Sequence, residues 1–188
     1  MLSLQPPVLD DTDELLAFEV RHRDFFEQSI NARADDFYSG PGVRQAIADA
    51  MRDAECGVAY QYLVRDSFGT LVGRVNLTRV RRAHFHCAEL GYRVGEDSNG
   101  KGHATEAVRQ VIERAFGEHR LMRLEATARP ENEGSVKVLT RNGFSKFGQS
   151  TRSFELAGQW YDLLHFELRR NDRDDGDRWS GLMKKHGE

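Results

Sequence analysis

The chain has 188 residues, 39% of them hydrophobic and 30% charged, which points to one packed domain. A net charge of −3 gives no overall basic surface for nucleic acid, and no stretch approaches the roughly 20 apolar residues that span a bilayer. Cys56 and Cys87 are read as free thiols, and the histidines lack companions at ligand spacing, so no metal site is expected. The start "MLSLQPPVLDD" has no basic n-region or apolar h-region, so a cytoplasmic protein is expected.

"LSLQPPVL" reads as a short extended lead-in that Pro6 and Pro7 bar from the middle of a sheet. "DDTDELLAFEVRHRDFFEQS" reads as a helix, with Asp11 or Thr12 as cap and an apolar face starting at Leu15, Leu16 and Phe18. Residues 31–42 read as a loop ending in Gly40-Pro41-Gly42, before a helix with Val43, Ile47 and Met51 on one side. The period then shortens. "GVAYQYLVRD" and "TLVGRVNLTRV" form an expected hairpin around Ser67-Phe68-Gly69, and "CAELGYRV" alternates as a third strand. Ala104, Val108, Val111, Ile112, Ala115 and Phe116 define an amphipathic helix. "LMRLEATA" is the next strand. "NEGSVKVLTRNG" is a short helix stopped at Asn142-Gly143. Two strands around Ala157-Gly158 follow, and a polar tail begins at Asn171. The strands before and after the central helix should be parallel neighbours, with ligands favouring their carboxyl ends.

The segment "DSNGKGHATEAV" lies at one such end. A helix start leaves four backbone N–H groups unpaired and carries partial positive charge, which suits a phosphate. Gly100 and Gly102 permit left-handed angles, Lys101 adds a cation, and Ala104 keeps the first turn thin. The plainer reading is a turn with a capping glycine. The order Lys101-Gly102-His103 does not fit the nucleotide loop G-x-x-x-x-G-K-[ST], and Thr105 stands where a dinucleotide loop needs its third glycine.

"AELGYRVGEDSNGKGHATEAV" and "LMRLEATARPENEGSVKVLTRNGFSKFG" resemble the GNAT acyl-CoA N-acyltransferases, in particular the RimJ/RimL-type ribosomal-protein N-terminal acetyltransferases. The family's phosphate loop, [QR]-x-x-G-x-[GA], corresponds to Asn99-Gly100-Lys101-Gly102-His103-Ala104, with Asn99 replacing the usual Gln or Arg. The family's Asn-x-x-Ser corresponds to Asn132 and Ser135, and its Asn-Gly-Phe to Asn142-Gly143-Phe144. The likeness covers about residues 2–170. It implies an α+β, three-layer fold over residues 1–170. Its centre is a mixed, mostly antiparallel sheet of about seven strands with a splayed parallel pair, flanked by helices.

The resemblance implies direct acetyl transfer from acetyl-CoA to an amine; charge, ligand spacing and apolar run length give the expectation of no nucleic acid, no metal and no membrane, and a monomer or homodimer is expected. It assigns the pantetheine arm to the backbone of Tyr92, Arg93 and Val94, with Gly91 allowing close approach or making a bulge. Val94 or a neighbour would meet the oxyanion. Asn132 would hold the pantetheine amide, or simply order its loop. Ser135 would protonate the leaving thiolate, or simply cap its helix. Glu155 is the first candidate base and Glu89 the second, each also readable as a strand carboxylate. Trp160 and Tyr161 are acceptor-pocket or core aromatics. Arg79, Arg81 and Arg82 could draw in an acidic acceptor or the 3′-phosphate, or be solvated. Phe25, Phe26, Phe37 and Tyr38 lie where this fold builds its acceptor wall. An N-terminal α-amine, with pKa near about 8, is easier to deprotonate than a lysine at about 10.4, and a peptide N-terminus is the expected acceptor. A small amine (polyamine, amino acid or aminoglycoside) is the alternative, which Asp35 and Asp36 keep open. A non-catalytic acyl-CoA-binding module is a further alternative.

Overall fold

The computed structural model describes residues 2–170. The tail expected from Asn171 lies outside the described residues. Strand β1 (Ser3–Gln5) ends at Pro6 and Pro7, which cannot donate to a ladder, and it occupies a sheet edge. The stretch expected to be one helix is two: α1 (Thr12–Arg21) and α2 (Arg23–Glu27). They part at His22, whose φ of −107° and ψ of 12° leave the helical region and whose ring is buried. Helix α3 (Gly40–Cys56) absorbs the Gly-Pro-Gly expected to end a loop. Ser39 caps it, accepting the Gly42 N–H at 3.1 Å, and the fixed φ of Pro41 suits a first turn. Its buried stripe is Val43, Ile47 and Ala50. Met51, expected on that stripe, is 37% exposed, because one further residue rotates about 100° away from the core.

Strands β2 (Tyr60–Arg65), β3 (Leu71–Arg81) and β4 (Cys87–Val94) form an antiparallel meander. The first turn is tied by Asp66, whose carboxylate accepts from the amides of Phe68 at 2.9 Å and Thr70 at 3.0 Å. Helix α4 (His103–Phe116), β5 (Arg123–Ala128) and α5 (Glu133–Arg141) follow, then β6 (Ser145–Leu156) and β7 (Gln159–Arg169). The last two strands are joined by Ala157 and Gly158 at φ 49° and 80°, a turn whose twist matches that of the strands it links.

The sheet order is β1-β2-β3-β4-β5-β7-β6. Val108 and Val111 of α4 and Leu139 of α5 pack with Leu90 and Leu124 on one face. Leu15 and Phe18 of α1 and Val43 and Ile47 of α3 pack with Leu63 and Leu71 on the other, giving three layers. As expected, β4 and β5 are the parallel pair. Their pairing is confined to Cys87↔Arg123, Ala88↔Leu124 and Glu89↔Glu125. Beyond it, β4 remains on β3 as far as Val94↔Gly73, and β5 remains on β7 as far as Ala128↔Leu164. The sheet therefore opens as a seam at the carboxyl ends of its two central strands.

Candidate active site

Below the seam, α4 begins without a side-chain cap, at Gly102. Gly100 and Gly102 have φ of 73° and 81°, and a Cβ at either would meet nothing within 4 Å. Torsion, not crowding, demands glycine there. The Glu106 N–H is the first to reach back into the turn, to the Gly102 carbonyl at 3.0 Å. The N–H groups of Lys101, Gly102, His103, Ala104 and Thr105 have no acceptor among the described residues. The Gly100 amide is not part of this set, because Asn99 folds back and its Oδ1 accepts the Gly100 N–H at 3.0 Å. The donor set thus starts one residue later. His103 Nδ1 is buried without a partner beside it. A row of unpaired donors at a positive helix end fits a diphosphate.

Across the seam, Asn132 caps α5, its Oδ1 accepting the Ser135 N–H at 3.0 Å. Tyr92, on the part of β4 that has parted from β5, places its phenol 2.9 Å from Ser135 Oγ and 3.1 Å from the Ser135 carbonyl, to which it can donate. Burial pushes the phenol up to about 12, partly offset by the serine, so it remains a proton donor at neutral pH. The phenol has a single proton: given to the carbonyl, it leaves the serine O–H to bridge back to the phenol oxygen, and given to Oγ, it frees the serine O–H to donate onward. The family resemblance assigns Tyr92 a backbone role alone. The signal for its side chain was its alternation with Ala88 and Leu90, which sets it on the face covered by α4 and α5.

The two carboxylates differ. Glu89 stands on the last parallel rung and accepts from Arg79 Nη1 at 2.9 Å in an exposed ion pair. Glu155, opposite Trp160 near the hairpin tip, is exposed and has no ion pair or hydrogen bond among the described residues. That hairpin runs past Leu164, where β5 ends, and so projects at the open end of the seam. Arg129, just after β5, donates to the Gln28 carbonyl at 2.8 Å and lies 4.7 Å from the Tyr161 ring centre, linking the hairpin to the end of α2. Trp160 is 59% exposed and is not core. The structure brings Tyr92 to Ser135 and gives neither a hydrogen bond to Glu89 or Glu155.

On the α1 face, Glu19 is 1% exposed and its Oε1 accepts from Arg74 Nη1 at 2.7 Å and Arg93 Nη2 at 2.9 Å. Burial pushes Arg93 down to about 9, Glu19 opposes this, and Arg74 and Arg33 add to it. Arg93 is still charged at neutral pH. His22 lies on Gly95, where a Cβ would come 2.5 Å from Nε2, and its Nδ1 accepts the Glu96 N–H at 3.3 Å. The break between α1 and α2 is thereby tied to the segment leading into the glycine loop.

Other expected residues are occupied elsewhere. Arg81 lies over Phe85 at 4.8 Å, and Arg82 donates to the Tyr60 hydroxyl at 2.8 Å. Arg81 pairs with Cys87, at the opposite end of β4 from the glycine loop, so a 3′-phosphate role is not supported. Asp35 pairs with Arg23 at 2.8 Å. Phe26 is buried, and Phe37 meets Tyr38 edge-on at 5.3 Å. Among the described residues no group of His, Cys, Asp or Glu could hold a metal, and no helix is long and apolar enough to cross a membrane.

Residues 2–145 match the family described as Acetyltransferase (GNAT) domain. The chain is 37% identical over 160 residues to the probable N-acetyltransferase YjcK of Bacillus subtilis, covering 85% of this chain and 88% of that protein. It is 34% identical over 92 residues to the [ribosomal protein uS5]-alanine N-acetyltransferase of Escherichia coli, about half of each chain (49% and 47%). Mycobacterium smegmatis RimJ in complex with CoA-disulfide has the same fold, with a TM-score of 0.83 at 24% identity over 89% of this chain and 81% of that one. With a family match across most of its length and an open-seam sheet of the same architecture, the chain belongs to the GNAT family of N-acetyltransferases.

Proposed function

We propose that the enzyme moves an acetyl group from acetyl-CoA directly onto a primary amine, and that the amine is the α-amino group of a protein or peptide. The observation that supports this most is the seam itself, with unpaired amides at 101–105 on one side and the Tyr92–Ser135 pair on the other. The thioester supplies the activated acetyl group. The loop amides would hold the diphosphate, and the unpaired edge of β4 at Tyr92, Arg93 and Val94 would hold the pantetheine arm. Ser135 would give its proton to the departing sulfur, with the Tyr92 phenol behind it. Glu155 would take the proton from the ammonium, directly or through water.

The peptide reading draws on the relative named as a uS5-alanine acetyltransferase and on the separation of β4 from β5 beyond their three rungs. The pairing of Asp35 with Arg23 weakens the case for a polycation. An acceptor screen that follows CoA release tests it, with peptides beginning in Ser or Ala run beside polyamines and amino acids. Peptide turnover is expected, and a response from small amines alone overturns the peptide assignment.

A further inference from the structure

Adjacent residues on a strand point to opposite faces. Tyr92 reaches Ser135 on the α5 face of the open strand, and Arg93 reaches Glu19 on the α1 face. Around Arg93 stand one carboxylate, Glu19 on α1, and two more guanidiniums, Arg74 on β3 and Arg33 between α2 and α3. The phenol of Tyr38 also faces it, and is held neutral by burial. Three cations thus share one anion. Arg74 is occupied at Nη1 by Glu19 and at Nη2 by Gln61 at 2.6 Å, yet its buried Nε has no partner. Arg33 has no carboxylate partner among the described residues; its guanidinium carbon lies 4.1 Å from the Phe37 ring centre. The nearby carboxylates of Glu27 and Asp35 are both taken by Arg23, each at 2.8 Å. With Arg74 buried and Arg93 and Arg33 partly buried, this surplus of cations over carboxylates suits an anion.

We propose that the acceptor carries a carboxylate close to its amine, and that Arg33, backed by the Arg74–Arg93–Glu19 cluster, binds it. This rests on the proposed peptide acceptor and narrows it to N-termini with an acidic side chain in the next few positions. Arg93 is one residue from Tyr92, so the Arg74–Arg93–Glu19 cluster and the Tyr92–Ser135 pair lie on opposite faces of the same open strand.

The test compares otherwise identical Ala-started peptides bearing Glu, Gln or Lys at the second position. The readouts are kcat and KM, together with calorimetric binding to the CoA-loaded enzyme, which needs no turnover. One charge-assisted contact at a partly exposed site corresponds to roughly a tenfold preference for Glu over Gln, carried mainly by KM. In Arg33→Ala the ratio should collapse to about one, Arg33→Lys should retain most of it, and Arg33→Glu should favour the Lys peptide. Arg33 lies outside helices and strands, so these variants should fold. No Glu preference in turnover or in calorimetry, or one that persists in Arg33→Ala, overturns the inference. If free glutamate is preferred over glutamine in an Arg33-dependent way and peptides are ignored, the carboxylate site stands and the peptide reading falls. If all three peptides are acetylated alike, the peptide reading stands and this inference falls.

Discussion

The Tyr92 phenol sits 2.9 Å from the Ser135 hydroxyl and joins the open edge of β4 to the first turn of α5. With the phenol donating to Oγ the two hydroxyls are donors in series, and groups acting as a unit are not additive. Ser135→Ala should lower kcat by roughly a hundredfold, in the range for a positioned proton donor, while calorimetric CoA affinity changes little. Tyr92→Phe should lower it less, and the double variant should be no slower than Ser135→Ala alone. Losses that multiply would show that the two side chains act separately.

Backbone geometry rather than the lysine charge should control coenzyme affinity. Forcing alanine into the left-handed region at Gly102, φ 81°, costs about 1–2 kcal/mol and moves the amides that follow. Gly102→Ala should therefore weaken CoA binding by roughly tenfold or more. Lys101→Ala should weaken it only a few-fold, as for an exposed charge at a helix end. Calorimetry on both variants decides, and a larger effect at Lys101 would reverse the assignment.

Glu155 and Glu89 separate on the same logic. Glu155→Gln should cut kcat/KM by roughly a hundredfold near pH 7, and the deficit should shrink above about pH 8, where an α-amine is already a free base. Glu89→Gln removes one exposed ion pair, worth under about 1 kcal/mol, and should leave the rate nearly unchanged. The pH–rate profiles of the two variants distinguish them, and a large loss confined to Glu89→Gln would make that residue the base.

His22 should make the fold acid-sensitive. Burial lowers its pKa below the ordinary 6.5, against the raising effect of Asp97. An unfolded chain takes up its proton near 6.5, and the folded chain only at lower pH. Between those points the unfolded state holds more protons, so stability is fully present above 6.5 and falls as pH falls through that window. Urea midpoints measured from pH 7 down to about 5 should decline, and His22→Gln should flatten the slope in part. A remainder should persist from His119, also lowered by burial. An unchanged slope in His22→Gln would rule out this residue as the source.

Local signals carried much of this architecture into the sequence. The change of period at residue 57, the alternation of "CAELGYRV" and the paired motifs around Gly100 and Asn132 mark the strands, the crossover and the loop that the structure shows. What stayed hidden depends on partners distant in the chain. The break at His22 arises from a contact with Glu96, 74 residues on, which no helical periodicity encodes. The Tyr92–Ser135 pair spans 43 residues, and Glu19 meets Arg74 across 55. Asn99 is the local exception: its side chain is short enough to bend onto the next amide, a possibility that reading it as a reduced Gln or Arg overlooked.

Three rungs stitch the two halves of the sheet together between β4 and β5. One half delivers the glycine loop at the exit of β4, and the other delivers Ser135 and the Glu155 hairpin. Beyond those rungs, the spacing between the two sets of candidate groups is held by the Tyr92–Ser135 contact and by Asn142, whose Nδ2 donates to the Thr105 carbonyl at 3.2 Å. Acetyl-CoA bound as proposed would touch both sets at once, so attraction gained at the far diphosphate would be converted into alignment at the thioester. A shortened acetyl donor lacking the nucleotide should for that reason suffer in turnover number and not merely in affinity.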